Sequence, residues 1–140
     1  MKPTPNYDMY IDGASRGNPG PAAVGVLILN GADRPVRQFG KYLGQTTNNV
    51  AEYLALIYGL QEALRLNVAS IAVKTDSELL ARQINGQYRV RDAQLRLFYD
   101  LAMELLRGFQ RSTVEHIPRE LNRQADRLAA EAIRQAGLSL

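Results

Sequence analysis

The stretch NVAEYLALIYGLQEALRL, residues 49–66, decides the fold class. Apolar side chains occupy most of its positions, so a helix formed here is apolar around nearly its whole circumference. After Asn49, only Glu52, Gln61, Glu62 and Arg65 interrupt that surface. A helix of this kind is buried, and we expect it to lie across a sheet.

Three strands are predicted before this helix. Tyr7–Ile11 and Val36–Leu43 have strand-like composition, and Ala22–Leu29 is almost entirely apolar. The turn-forming cluster Asp12–Pro21 ends the first strand. Because the connections are short, the three strands are expected to form an antiparallel meander.

After the helix, strands and helices alternate. The predicted elements are a strand at Ser70–Lys74, helices at Ser77–Ile84 and Ala93–Arg107, a strand at Thr113–Ile117 and a last helix whose apolar stripe runs from Leu121 to Ile133. The order is βββαβααβα. Since alternation is confined to the second half, we predict an α/β fold with a mixed sheet.

Composition limits the classes of protein. The chain has 140 residues, 46% apolar and 22% charged, which fits one globular domain over 1–140 and excludes a disordered chain. It has no cysteine, so disulfides and thiolate metal sites are excluded. No apolar run reaches the length of a membrane span, and no signal core follows Lys2. We expect a soluble, cytoplasmic monomer, and the net charge of +3 slightly favours polyanionic partners.

Two acidic residues in the first half have both ordinary and functional interpretations. Asp12 precedes a glycine, as turn residues often do. Glu52 lies in the first turn of the apolar helix, where the helix dipole favours a negative charge. A carboxylate among apolar neighbours is partly buried, however, and then needs a partner.

Two further acids lie in the second half. Asp76 follows a strand, where Thr75 and Glu78 also match a helix capping box. Asp126 lies on the last helix with Asn122 one turn earlier, which is typical of a solvated face. Taken singly, the ordinary interpretations are at least as good. Together, the four acids could converge on one edge of the sheet.

Four stretches of the chain match one known family. They are Tyr10–Ser15 with Gly17–Gly20, then Thr46–Glu52, then Thr75–Glu78, and last His116–Asn122 followed by Ala125–Asp126. In this order they make the chain resemble the type 1 ribonuclease H family over roughly 7–133. Each stretch places an acid at a catalytic position of that family.

The resemblance implies a fold, a cofactor and a reaction. The fold is a five-stranded mixed sheet, three antiparallel strands and two parallel ones, with helices on both faces. Two Mg²⁺ ions, with Mn²⁺ as a substitute, would be held by Asp12, Glu52, Asp76 and Asp126. The implied activity is endonucleolytic hydrolysis of the RNA strand of RNA/DNA hybrids, leaving 5′-phosphate and 3′-hydroxyl ends.

Substrate contacts are implied in the same way. The resemblance to the family implies that six residues contact the minor groove of the hybrid: Gly13, Ser15, Asn18, Asn48, Asn49 and Glu78. Thr47 would help to hold a phosphate of the DNA strand. Asn18 before proline is also typical of a turn, and Asn48 could instead cap the buried helix.

The chain departs from the family pattern at two places. Many members carry a basic, Trp-containing protrusion after the second helix, whereas here only Gln87–Asp92 joins two helices and the chain has no Trp. We therefore expect weaker hybrid binding than in members with the protrusion, and a steep dependence of that binding on salt. Part of the missing positive charge could come from four arginines: Arg82, Arg89, Arg91 and Arg96. Many members also carry a loop histidine that assists proton transfer or product release. The single histidine, His116, falls near that position in an ungapped alignment, but we interpret it as a strand residue and the loop histidine as missing.

Other functions are weaker interpretations. Proofreading exonucleases usually begin with Asp-x-Glu, where this chain has Asp12-Gly13-Ala14. A module that binds hybrids without cutting them would gain nothing from four acids, which repel phosphates when no metal is bound. A fragment of a polymerase is less expected than a stand-alone protein. Cleavage of duplex RNA stays open.

Overall fold

A computed structural model describes residues 6–138. Its elements in chain order are β1 (Asn6–Ser15), β2 (Gly20–Leu29), β3 (Pro35–Thr46), α1 (Asn48–Arg65), β4 (Ser70–Thr75), α2 (Glu78–Ile84), α3 (Ala93–Leu106), β5 (Arg111–His116) and α4 (Arg123–Leu138), with a 3₁₀ turn at Arg119–Leu121 before α4. The predicted order βββαβααβα is confirmed.

The five strands form one mixed sheet in the order β3-β2-β1-β4-β5. β1, β2 and β3 are antiparallel neighbours, and β4 joins β1 and β5 in parallel. This is the predicted pattern of three antiparallel and two parallel strands. β4 is parallel to β5 because the helices between them return the chain to the edge of the sheet at which β4 begins.

Helices cover both faces of the sheet. α1 packs on β1 and β2 from one side, and α4 packs on β1, β2 and β3 from the other. The side chains that α1 covers include Met9 and Ile11, which are fully buried. Because successive strand residues point to opposite faces, Tyr10 and Asp12 project toward the α4 side.

Glycines allow both helices to approach the sheet closely. A Cβ on Gly13 would overlap the backbone of Ala51 in α1, and one on Gly25 would overlap the backbone of Ala125 in α4. Gly25 is the register partner of Asp12 on β1. The two contacts therefore fix the distances of α1 and α4 from the middle of the sheet beside Asp12.

The first strand is longer than predicted. β1 continues through Asp12 to Ser15, which pairs with Ala22, so the predicted turn cluster shrinks to residues 16–19. The chain reverses within those four residues, where Gly17 has a φ of 104°. The prediction that Asp12 ends the strand was wrong, because Asp12 pairs within the sheet.

The other boundaries differ by a few residues. α4 begins at Arg123, since the turn before it is 3₁₀, and β5 runs from Arg111 to His116. No helix between residues 6 and 138 combines the length and the apolar character needed to cross a bilayer.

Candidate active site

Five acidic side chains line one cleft of about 490 Å³: the four acids Asp12, Glu52, Asp76 and Asp126, and in addition Glu78. Carboxylate oxygens of Asp12, Glu52 and Asp76 lie within 4.8 Å of one another, and Asp126 lines the same cleft. Asp12 and Glu52 are buried, and Asp76 and Asp126 are half-buried. The four acids singled out in the sequence are therefore brought together, as predicted.

The parallel pairing of β1 and β4 brings Asp12 and Asp76 side by side. Ile11 is the register partner of Thr75, and each acid is the next residue of its chain segment. β4 ends at Thr75, so Asp76 stands at the carboxyl edge of the sheet. Ligand sites of open α/β sheets lie at this edge.

Glu52 reaches the cluster because α1 lies against Gly13. The backbone N–H of Gly13 donates a short hydrogen bond to Oε1 of Glu52. Thr47 caps α1 at its N-terminus, and its Oγ1 accepts from the N–H of Val50 at 3.3 Å. The capping alternative for Asn48 was therefore wrong, because Thr47 performs that role and leaves Asn48 exposed.

Asn122 ties α4 to β1 beside the acids. Its side-chain Nδ2 donates to the backbone carbonyl of Ile11 at 2.8 Å, and its backbone carbonyl accepts from the N–H of Asp126 at 3.1 Å. It is 1% exposed, so the expected solvated position was wrong. Asn122 precedes α4 and fills the space between the helix and the strand.

The capping box considered as the ordinary alternative at Asp76 was also wrong. Ser77 is the cap of α2 and accepts from the N–H of Leu80 at 3.1 Å, while Thr75 accepts from the N–H of Ser77 at 3.1 Å. Asp76 is thus free of a capping role. The Ser77 hydroxyl also contacts Glu52.

The cluster carries more negative charge than its surroundings compensate. Burial, together with the charges of its three acidic neighbours, raises the pKa of Asp12 to about 9. Burial raises the pKa of Glu52 to about 8, although the N–H of Gly13 acts in the opposite direction. Oδ2 of Asp12 is buried without a hydrogen-bond partner among residues 6–138. Oxygen ligands that are crowded and under-compensated fit hard divalent cations.

The predicted substrate contacts fall into two groups. Gly13, Ser15, Asn48 and Glu78 line the cleft with the acids, whereas Asn18, Thr47 and Asn49 are outside its lining. Asn18 nevertheless borders it, because its Oδ1 accepts from the N–H of Asn48 at 2.9 Å. This bond joins the β1–β2 turn to the start of α1.

Two polar residues of the cleft were missed by the sequence analysis. Ser77 and Arg119 both line the cleft, the first as the α2 cap and the second in the 3₁₀ turn. Arg119 was not singled out, because arginine recurs nearby at Arg123 and Arg127 in a pattern typical of a solvated face. The only sequence signal was its place inside the last of the four matching stretches.

Residues 85–92 directly connect α2 and α3, with no helix between them in the described chain. The absence of a protrusion is thus seen in the structure. Two of the four arginines considered as substitutes are engaged, since Arg82 pairs with Glu78 and Arg96 with Asp100. Both are also stacked on tyrosine rings.

His116 is the last residue of β5 and is exposed, so its prediction as a strand residue is confirmed. It is absent from the lining of the acidic cleft. We therefore expect His116→Ala to keep turnover of a hybrid substrate within a few-fold of the unchanged protein. Steady-state kinetics with a melting curve tests this, and a collapse of turnover at unchanged stability would contradict it.

Sequence comparison places the chain in a family. A family model described as reverse transcriptase-like matches residues 10–132. The chain belongs to this family. Within it, ribonuclease HI of Halobacterium salinarum is 44% identical over 127 residues, which is 91% of this chain and 64% of that protein. A bifunctional protein of Mycobacterium tuberculosis is 41% identical over 129 residues, 91% of this chain and 35% of that protein. The chain thus spans less than two thirds of the length of each of these two relatives.

Solved structures agree with this family membership. RNase H1 of Halobacterium salinarum superposes with a TM-score of 0.91 at 42% identity, covering 93% of this chain and 98% of that one. LC11-RNase H1, from compost and solved in complex with an RNA/DNA hybrid, gives a TM-score of 0.88 at 38% identity, with coverage of 93% and 98%. The resemblance to type 1 ribonuclease H and its fold are therefore confirmed.

Proposed function

We propose that this chain is a metal-dependent endonuclease that hydrolyses the RNA strand of RNA/DNA hybrids. The observation that carries the proposal is the convergence of four carboxylates, two of them buried, at the carboxyl edge of the sheet. Proteins of similar sequence are named ribonuclease H, and one was solved on a hybrid. We further propose that the chain acts as a monomer in the cytoplasm.

The donor set fits Mg²⁺, with Mn²⁺ as a substitute. Asp12, Glu52, Asp76 and Asp126 offer hard oxygen ligands, and the buried Oδ2 of Asp12 has no partner in the described chain that would compete. Two such ions, when bound, would activate water and stabilise the oxygen that leaves phosphorus. In the hydrolysis a water oxygen bonds to phosphorus, the bond from phosphorus to the 3′-oxygen breaks, and the water's protons end on the 3′-oxygen and in solvent. The products carry 5′-phosphate and 3′-hydroxyl ends.

Hydrogen bonds within the chain hold the acidic side chains in position. The N–H of Gly13 holds the Glu52 carboxylate, and Asn122 holds α4 against β1 so that Asp126 faces Asp12. Asp12 and Glu52 must lose their protons before cations bind, because burial favours their neutral forms. These contacts preorganise the carboxylates and lower the cost of assembling them.

Recognition of the RNA strand belongs to the polar groups around the acids. Only the 2′-hydroxyl distinguishes RNA from DNA at a given nucleotide, and it lies in a shallow minor groove. Four of the proposed contacts line the cleft beside the acids, where a bound hybrid would present this groove: Gly13, Ser15, Asn48 and Glu78. Asn18 and Asn49 are exposed beside them, and Thr47 stays our proposed contact to a DNA-strand phosphate.

The test is a substrate panel with the purified protein. Labelled hybrid, single-stranded RNA, duplex RNA and duplex DNA are incubated with Mg²⁺, with Mn²⁺ and with chelator, beside the variant Asp76→Asn. We expect internal cuts in the RNA strand of the hybrid, lost in chelator and in the variant. Hybrid binding without cleavage would instead indicate a binding module, and metal-dependent cleavage of another substrate would change the substrate and keep the site.

A further inference from the structure

A second cavity, of about 530 Å³, lies at the junction of α2 and α3. Three arginines and two tyrosines line most of it, and we call it the arginine–tyrosine cavity: Arg89, Arg91, Arg96, Tyr88 and Tyr99. No carboxylate is among the described residues of its lining. Its walls therefore combine positive charge with aromatic rings, which suits an anion that carries a flat ring.

Two of the three arginines are available to a ligand. Arg89 and Arg91 are exposed, and neither has an ion pair within residues 6–138. Arg96 differs, because it pairs with Asp100 at 3.2 Å. Asp92, the acid that follows Arg91, is engaged as the cap of α3, where its Oδ1 accepts a backbone N–H at 2.9 Å. The two free guanidinium groups therefore suit a phosphate, whose oxygens they can bind in pairs.

The segment that carries Arg89 and Arg91 is anchored by Gln83. Its Nε2 donates to the carbonyl of Arg89 at 3.2 Å, and its Oε1 accepts from the hydroxyl of Tyr53 at 2.6 Å. Gln83 and Tyr53 are both buried. Val90, between the two arginines, packs against the hydrophobic core. The backbone of the segment is thus fixed before a ligand arrives, so binding costs little ordering of the chain.

The ring of Tyr88 is held on one side and open on the other. Its backbone N–H donates to the carbonyl of Arg82 at 3.2 Å, and the guanidinium of Arg82 lies 5.3 Å from the centre of its ring. Arg82 is outside the cavity lining, whereas Tyr88 belongs to it and is 46% exposed. A nucleic-acid base can stack on such a ring, whichever base it is, because every base has a flat π-face.

The cavity and the acidic cleft are neighbours along α2. Glu78 at the start of α2 lines the cleft, and Gln83 near its end lines the cavity, which is about 7 Å further along the helix axis. Arg82 connects them, because it pairs with Glu78 at 2.8 Å and contacts the ring of Tyr88. A nucleotide that extends from a strand bound in the cleft is therefore within reach of the cavity.

We propose that the arginine–tyrosine cavity binds an unpaired nucleotide, with its base on the ring of Tyr88 and its phosphate on Arg89 and Arg91. Bases inside a duplex are stacked on their neighbours, so only an unpaired nucleotide can present a face to the ring. A single-stranded extension beside the hybrid and a free nucleotide both supply this base and phosphate. The inference goes beyond the proposed function, because hydrolysis of a fully paired hybrid does not require this site.

The test measures binding in the Asp76→Asn background, which keeps the substrate uncut. Dissociation constants in Mg²⁺ are compared for a blunt hybrid and for the same hybrid with a single-stranded DNA extension at either end. We expect the extension to tighten binding about 5-fold or more, and Tyr88→Ala to abolish this gain while the blunt hybrid stays within about 2-fold. Tyr88→Phe keeps the stacking face and should keep the gain. Tyr42→Ala is the matched control, because Tyr42 is also an exposed tyrosine and lies on β3.

A single-stranded DNA oligonucleotide, titrated in chelator, tests the cavity without a hybrid. Tyr88→Ala should weaken its binding about 5-fold or more. Arg89→Ala should weaken it more than Arg111→Ala does, since Arg111 is exposed on β5 and is outside the cavity lining. Because neither cleavage nor a hybrid is needed, this measurement decides on the cavity even when the unchanged protein cuts nothing and the proposed function fails.

Titration with adenosine 5′-monophosphate separates the two sources of the nucleotide. Binding of this free nucleotide that is lost in Tyr88→Ala, with no gain from the extension, assigns the cavity to a free nucleotide. A gain from the extension without binding of the free nucleotide assigns it to a single strand. Equal weakening of the blunt and the extended hybrid by Tyr88→Ala would overturn the proposal, since the ring would then contact the duplex. An unchanged affinity of Tyr88→Ala for every probe would overturn it as well.

Discussion

The variant Asp12→Asn is expected to be more stable than the unchanged protein in chelator at pH 8, while its hydrolysis of hybrids falls by about 10³-fold or more. The carboxyl is buried beside three other acids, so its ionised form is costly in the folded chain without cations. An amide has nearly the same shape and no charge to repel its neighbours. We expect the melting temperature in chelator to rise by roughly 3–8 °C, which corresponds to one or two kcal/mol in a domain of this size.

The pH dependence gives this prediction its sign. The pKa of Asp12 is about 9 in the folded chain and near 3.8 when the chain is unfolded. The folded state therefore holds this proton more tightly, so the contribution of Asp12 to stability is greatest below about pH 4 and declines as pH rises toward 9. The gain from Asp12→Asn should vanish near pH 4 and grow through neutral pH. Melting curves at a series of pH values, all in chelator, measure it.

Asp100→Asn is the control for this series. Asp100 is exposed on α3 and pairs with Arg96, so its loss should change the melting temperature little at any pH. Added Mg²⁺ should stabilise the unchanged protein and the control more than Asp12→Asn, because the ligand is missing there. A melting temperature for Asp12→Asn below that of the unchanged protein at pH 8 in chelator would show that the carboxyl is not crowded as described.

The fold could be predicted well from the sequence because the spacing of apolar residues along the chain indicates which segments are buried. The apolar run within α1 and the almost entirely apolar β2 mark the segments that tertiary contacts bury. The end of β1 was missed because Asp12 and Gly13 have turn-forming composition, yet pairing with β2 holds them in the sheet. At these two residues, pairing with Gly25 and Val24 outweighs the local preference for a turn.

The acids were found in the sequence, and their surroundings were not. Their types and spacing matched a family, whereas Asn122 and Arg119 are defined by contacts between segments far apart in the chain. The bond from Asn122 to Ile11 spans 111 positions. No local pattern distinguishes a buried amide from a solvated one, since burial depends on where α4 meets β1. The same holds for Arg119, which looks like its arginine neighbours until the turn before α4 is fixed.

The second large effect is expected for Gly13→Ala. A methyl group at this position would overlap the backbone of Ala51, and a helix backbone cannot move aside as a flexible side chain can. α1 would have to move away from β1, which loosens packing around Met9 and Ile11. We expect the free energy of unfolding to fall by about 2–4 kcal/mol. Urea denaturation with an unchanged slope and a lower midpoint would measure this.

Gly137→Ala is the matched control, because a Cβ there meets nothing within 4 Å and the residue lies in α4. Alanine in an open helical position should stabilise slightly, by about 0.5–1 kcal/mol. Gly13→Ala should also raise the Mg²⁺ concentration needed for half-maximal hydrolysis, since the shift that relieves the overlap carries Glu52 away from Asp12. A variant with the control's midpoint and metal requirement would mean that α1 does not depend on Gly13 for its approach. The closeness of α1 to β1 would then have to come from its other packing contacts, and the Glu52 carboxylate would not need the N–H of residue 13 to reach the cluster.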